Sequence, residues 1–308
     1  MSPRLSIIEK TPLSPDLKPL LDTLYANRSQ QHLENDPLSR SRRFADAGDR
    51  EVAALISSAF AYGNVKIILK SLDGIFRMMG PSPRRYVERF DPEEGARHFA
   101  GFKHRFNDGR DLCALLLALR RMLEESGSIE AFFCRCHDPA APDITGTLTA
   151  FSAAILGLEY GPIFGEKGIP PDSYFPFFFP SPASGSACKR LCMFLRWVVR
   201  PDDGIDLGLW QGISPSQLIV PVDLHIRRIA RSLALTSRNQ ADWKMAREIT
   251  ARLRELDPDD PVKYDFSLCH LGISEGCDGK SREPCTVCGV APVCSGPLGS
   301  AQGPRKGK

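Results

Sequence analysis

Apolar positions recur along this chain with the three-and-four spacing of a helix buried on one face. Between Glu51 and Met79 they fall at Val52, Leu55, Ile56 and Ala59, then at Val65, Ile68, Leu69, Leu72 and Phe76. A break at Gly63 and a stop at Gly80-Pro81 divide this run into two helices. The stripe Leu112, Leu115, Leu116, Leu119 predicts a helix over 111–124, and shorter stripes predict helices over 128–136 and 144–158. In the helix starting near Ser186, Leu191, Phe194, Leu195 and Val198 share one arc, while Lys189, Met193, Arg196 and Arg200 share the opposite one. Pro221 holds the preceding residue extended and Asp223 then caps a helix. That helix buries Ile226, Ile229, Ala230 and Leu233 and turns Arg227, Arg228 and Arg231 elsewhere. Two more helices follow, over 242–256 and from an Asp260-Pro261 start to about residue 273. No alternating strand pattern and no internal repeat is visible, so the expected class is all-α.

Residues 161–186 break the periodicity. They are rich in Pro, Gly and Phe, and the run Tyr174-Phe175-Pro176-Phe177-Phe178-Phe179-Pro180 is too apolar for a solvated linker, so it is expected to pack against the body. The chain has 308 residues, enough for one large or two modest domains. Its formal charge of +3 permits a polyanionic partner without demanding one. No run of eighteen apolar residues occurs and the first twenty residues hold no apolar core, so neither a membrane span nor a secretory leader is expected.

Cys277, Cys285, Cys288 and Cys294 read C-x7-C-x2-C-x5-C. Four thiols in one short run make a metal site or two disulfides. The other six cysteines lack a disulfide layout, which favours a reducing cytosol and hence the metal. Iron–sulfur clusters use four thiolates in closely spaced runs, whereas structural zinc more often uses two C-x2-C knuckles or mixed ligands. Only Cys285 and Cys288 form a knuckle, so [4Fe–4S] is the expected cofactor and zinc the alternative. Cys134 and Cys136 with His137 do not complete a second site, and Cys188 and Cys192 read as packing residues.

Three segments together resemble the endonuclease III branch of the helix-hairpin-helix DNA glycosylases. That family carries V-D-T-H, and here Val222-Asp223-Leu224-His225 stands in its place. Its C-x6-C-x2-C-x5-C loop is matched with one extra residue, and His270-Leu271-Gly272 lies just ahead of the loop. Its hairpin P-G-V-G-R-K is matched by Gly185-Ser186-Ala187-Cys188-Lys189, with Ala187 for the second glycine and the proline displaced to Pro182. The resemblance covers residues 180–295 and extends over 45–160 only as a helical pattern. It implies a divergent bacterial branch with the helix-hairpin-helix glycosylase fold: two helical lobes and a C-terminal four-cysteine metal loop. The implied layout is a 1–44 segment packed on the C-terminal lobe, a 45–200 barrel lobe ending in the hairpin, a 201–295 lobe with the cluster, and a disordered 296–308 tail.

What the resemblance implies for function is a cytoplasmic, nucleoid-associated monomer that binds double-stranded DNA and excises a damaged or mismatched base. Such an enzyme flips its target base into a pocket. Asp223 would be the carboxylate that stabilises positive charge growing on the sugar. Lys189 would be the amine that attacks the anomeric carbon, forms a Schiff base and supports strand cleavage. Gly185, Arg196, Arg200, Arg227, Arg228 and Arg231 are the expected DNA contacts. Three departures stand out. Lys189 and Asp223 are 34 residues apart, about twice the family's separation, with the excess in 201–219 as an insertion expected to loop outside. The loop has its extra residue. Ser58-Ala59-Phe60-Ala61-Tyr62 replaces the family's inserting glutamine, leaving Phe60 or Tyr62 as the candidate wedge. The alternative reading is a DNA-binding protein that keeps this scaffold and has lost the chemistry.

Overall fold

The computed structural model describes residues 12–27 and 31–296. Residues 1–11, 28–30 and 297–308, which include most of the expected tail and part of the expected N-terminal segment, lie outside the described residues. Among the described residues every regular element is helical except one hairpin, which pairs Lys103–His104 with Asn107–Asp108. The protein is all-α, and none of its described helices is long and apolar enough to cross a membrane.

Side-chain caps set the helix boundaries. Asp46 accepts from the Asp49 amide at 3.0 Å and starts Ala47–Ala59. Gly63, at φ +101°, turns the chain so that Asn64 can cap Val65–Met79. Asp108 and Asp111 form a reciprocal capping box at the start of Gly109–Ser126, which ends on left-handed Gly127. Glu51 works at longer range. Its buried carboxylate accepts from the amides of Ile129 (3.1 Å) and Glu130 (2.8 Å), closing the N-terminus of Ile129–Cys134, and from Trp210 Nε1 at 2.7 Å.

At the centre Ala47–Ala59 packs against Lys189–Val199. Ten of the eleven residues of Lys189–Val199 are buried, so this helix has no solvated face. The reason lies in 201–219, where the expectation of an external loop is overturned. Ile205, Leu207, Trp210, Ile213, Leu218 and Ile219 are buried, and the Leu207 and Trp210 amides bond to the carbonyls of Trp197 (2.7 Å) and Val198 (2.8 Å). The segment wraps the helix and walls in its polar side. The expected start at Asp260-Pro261 is also corrected: the last long helix is Asp265–Ile273, and Asp260 instead pairs with Arg200 Nε at 2.9 Å.

The aromatic run divides. Phe175, Phe178 and Phe179 enter the core, while Tyr174 and Phe177 stay exposed. Near the N-terminus, Tyr25 donates to Asp203 at 2.8 Å and Asp22 accepts from Tyr264 at 2.6 Å. These bonds tie Leu17–Ala26 to the C-terminal half.

Candidate functional site

Gly185, at φ +79°, ends a single 3-10 turn over Pro182–Ser184, and its carbonyl accepts the Trp243 amide at 3.1 Å. The chain then passes through left-handed Cys188 into Lys189–Val199, so Lys189 is the first helical residue. A 3-10 turn, not a full helix, precedes this glycine. Asp223 caps Leu224–Ser232 through Oδ1, which accepts the Ile226 amide at 2.8 Å. Its other oxygen, Oδ2, accepts the thiol of Cys269 at 3.5 Å. Burial pushes the Cys269 thiol well above its usual pKa, the charges of Asp223 and Asp265 push it further, and Lys189 opposes them. The Lys189 and Asp223 charges therefore act on one sulfur, with Asp36 and Asp265 in the same neighbourhood. Cys269, Asp36 and Asp265 were not legible as site residues, because nothing in their spacing differs from ordinary core and cap positions.

The expected DNA-contacting cations separate into two groups. Arg196 and Arg200 do not face solvent: they are 4% and 3% exposed. Arg196 bonds Asp206 at 3.2 Å and Asp265 at 2.5 Å, and Arg200 bonds Asp206, Asp203 and Asp260. Two buried guanidiniums paired with four carboxylates do not reach a phosphate on the surface. Arg228 is half-buried, donates to the Cys277 carbonyl and lays its stem against Gly279. Arg231 is exposed, Arg227 is half-exposed and Gly185 is exposed. Of the two expected wedges, Phe60 is fully buried, ringed by Phe102, His104 and Phe178, and cannot insert anywhere. Tyr62 is half-buried, and its hydroxyl bonds Asn107 at 2.5 Å and the His104 carbonyl at 3.0 Å.

Cys277, Cys285, Cys288 and Cys294 line one small pocket, walled otherwise by residues that include Ile229, Leu271, Pro284, Val290 and Ala291. The Gly296 amide donates to Cys294 Sγ at 3.4 Å and the Val290 amide to Cys288 Sγ. These N–H···S bonds favour the thiolate, against burial, which raises both thiols above their usual pKa. Among the described residues no three Cys, His, Asp or Glu side chains close on one centre as metal ligands. Leu224–Ser232 and Asp265–Ile273 pack together beneath the pocket, and Gly272 makes this possible: a Cβ there would stand 2.2 Å from His225 Nδ1. His225 is thus a packing residue that also bonds Arg228 at 3.2 Å.

Fold and site together define an all-α protein in which the charges of Lys189 and Asp223 act on the buried Cys269 thiol, with four further thiols around one pocket. The model of the family described as protein of unknown function (DUF2400) matches residues 36–274, and the chain belongs to that family. The matched stretch spans Asp36, Lys189, Asp223 and Cys269 and stops just short of the four cysteines. No curated protein and no solved structure matches the chain.

Proposed function

We propose that this protein is a divergent helix-hairpin-helix DNA glycosylase that acts through Asp223 and Lys189. The observation that carries this reading is the placement of Lys189 at the start of a helix, just after a left-handed glycine turn, with Asp223 acting on the same buried thiol. In the proposed reaction the C1′–N bond breaks and the base leaves with the bonding pair and a proton. The Asp223 carboxylate stabilises the positive charge that develops on the sugar. The Lys189 amine, stripped of a proton, bonds C1′, and opening of the sugar ring gives a Schiff base from which strand cleavage follows. Arg231, with the half-exposed Arg227 and Arg228, supplies the cations of the expected set that reach the surface. The four cysteines offer the thiolate set and N–H···S bonds that suit a [4Fe–4S] cluster, with zinc as the alternative. Its role would be to cross-link a loop with little apolar content of its own.

A second reading, a DNA-binding protein without chemistry, is favoured by Asp223 Oδ1 being engaged as a helix cap, which alone justifies an aspartate there. Borohydride trapping on a panel of lesion-bearing and abasic duplexes separates the two. Asp223→Asn keeps the capping capacity and removes the charge. It is expected to fold, bind DNA and lose excision, while Lys189→Gln loses the trapped adduct. Full activity in both variants strips Asp223 and Lys189 of their catalytic roles, and DNA binding with neither base release nor adduct on any substrate supports the second.

A further inference from the structure

The hairpin that interrupts this helical protein carries apolar rings into solvent. Arg105 and Phe106 form its two-residue turn, and Arg105 takes φ +53°, a left-handed conformation that glycine, not arginine, adopts without strain. Phe106 is 51% exposed and stacks on Tyr174, itself 44% exposed, with centroids 5.0 Å apart and planes 16° from parallel. Phe177, 47% exposed, meets Tyr62 edge to face at 5.7 Å. Arg105 bridges the two pairs, its guanidinium 5.6 Å from the Phe106 ring and 5.9 Å from the Tyr62 ring. The Arg105 side chain crosses Gly63, where a Cβ would sit 2.7 Å from Arg105 Cδ. Left-handed turn, glycine seat and stacked rings hold the tip in place. Strain kept at an exposed tip points to a use for that tip.

We infer that Phe106 and Tyr174, with Phe177 and Tyr62 beside them, form a stacking platform for an unpaired nucleobase. Three exposed cations surround the rings, Lys103, Arg105 and Arg110, and none makes an ion pair among the described residues. The carboxylates of the same rim are largely occupied: Asp108 accepts the amides of Arg110 and Asp111, and Asp111 accepts from Asn107 and Ser173. Asp172 is the exposed exception. Aromatic faces flanked by cations that form no ion pair among the described residues match a base attached to a phosphate backbone, since every base offers a π-face and the phosphates need the charge. Arg190 joins this surface to the Lys189–Val199 helix. Its guanidinium lies 4.2 Å from the Phe177 ring and 5.1 Å from the Tyr62 ring, and it is the residue after Lys189. A strand lying on the platform runs toward the start of the Lys189–Val199 helix. The inference rests on the nucleic-acid part of the proposed function and adds where, and by which residues, a displaced base is held.

The test uses the full chain and three labelled duplexes: fully paired, with one bulged adenine, and with an abasic residue at the bulge. Wild type is expected to prefer the bulged base over the abasic bulge. Phe106→Ala/Tyr174→Ala is expected to lose that preference, weakening the bulged complex roughly 5- to 100-fold, with affinity for paired duplex and the thermal midpoint unchanged. Phe106→Trp is expected to retain it. Equal affinity of wild type for base and abasic bulge overturns the platform, as does an alanine double variant that still prefers the base. A loss equal on all three duplexes overturns it too, since it marks general contact. Each measurement is repeated in Lys189→Gln. A ring-dependent base preference without excision by any form fails the glycosylase reading and leaves the platform standing; excision without ring dependence does the reverse.

Discussion

Replacing Arg196 by Met separates a structural role from a DNA-binding one. The guanidinium sits between Asp206, with no exposed side-chain surface, and Asp265, 6% exposed, at 3.2 and 2.5 Å. Methionine matches much of the volume and removes the charge, stranding Asp265 and leaving Asp206 with Arg200 alone. Removing one partner of a buried pair costs about 3–5 kcal/mol, because the other charge stays buried and unpaired. At roughly 2–4 °C per kcal/mol for a large domain, the thermal midpoint should fall by about 6–20 °C. The loss should also depend on pH. Burial raises the Asp265 carboxyl to about 6 even with Arg196 beside it, and losing Arg196 raises it further. At pH 5 the variant therefore protonates Asp265 at little cost, whereas at pH 8 it must bury a lone anion. Circular dichroism melts at both pH values should show the smaller loss at pH 5. A stable variant whose DNA affinity drops with a salt slope shallower by about one would refute this reasoning and return Arg196 to the phosphate.

Four further outcomes follow from the same geometry. Because Asp265 sits at about 6 when folded and near 3.8 when unfolded, the native state holds its proton more tightly between those values. Stability from this group should thus fall as pH rises from about 4 to 6 and then level off. Asp265→Asn should lack that decline in denaturation midpoints. Gly272→Ala drives a methyl into His225 and should cost about 1–3 kcal/mol, read by chemical denaturation, with the cysteine loop loosened. Protein purified without oxygen should be brown with about four irons per chain by metal analysis, and a colourless protein with one zinc would select the alternative. Cys288→Ser should lose metal and solubility together.

The helices were legible because caps and stripes agree. Asn64, Asp108, Ser128, Asp223 and Asp242 each cap the element whose stripe follows them. Arg196 and Arg200 misled for a definable reason. A polar arc at helical spacing says only that a face is not apolar, and cannot distinguish water from a wall of aspartates supplied by another segment. That segment was itself misjudged, since 201–219 has neither helical nor strand periodicity, yet places Ile205, Leu207 and Trp210 in the core at irregular intervals. Asp260 looked like a cap for the same reason Asp223 did, and only the position of Arg200 tells them apart.

These two corrections bear on the separation of Lys189 and Asp223. Had 201–219 looped outside, the long spacing would have had to be absorbed by a flexible excursion, and the relation of the two helices would have rested on their direct contact alone. Instead, Asp206 binds Arg196 and Arg200 on one side, while Asp265, on the helix that carries Cys269, binds Arg196 from the other. Arg196 thus links the Lys189 helix to the helix whose thiol meets Asp223. The side chains expected to hold phosphate fix how these helices sit against one another. Their loss should therefore misplace Lys189 relative to Asp223 before it weakens any contact with DNA. Under that logic, Arg196→Met measured below its melting range should show borohydride trapping impaired more than DNA affinity, and the reverse order would detach the ion network from the site.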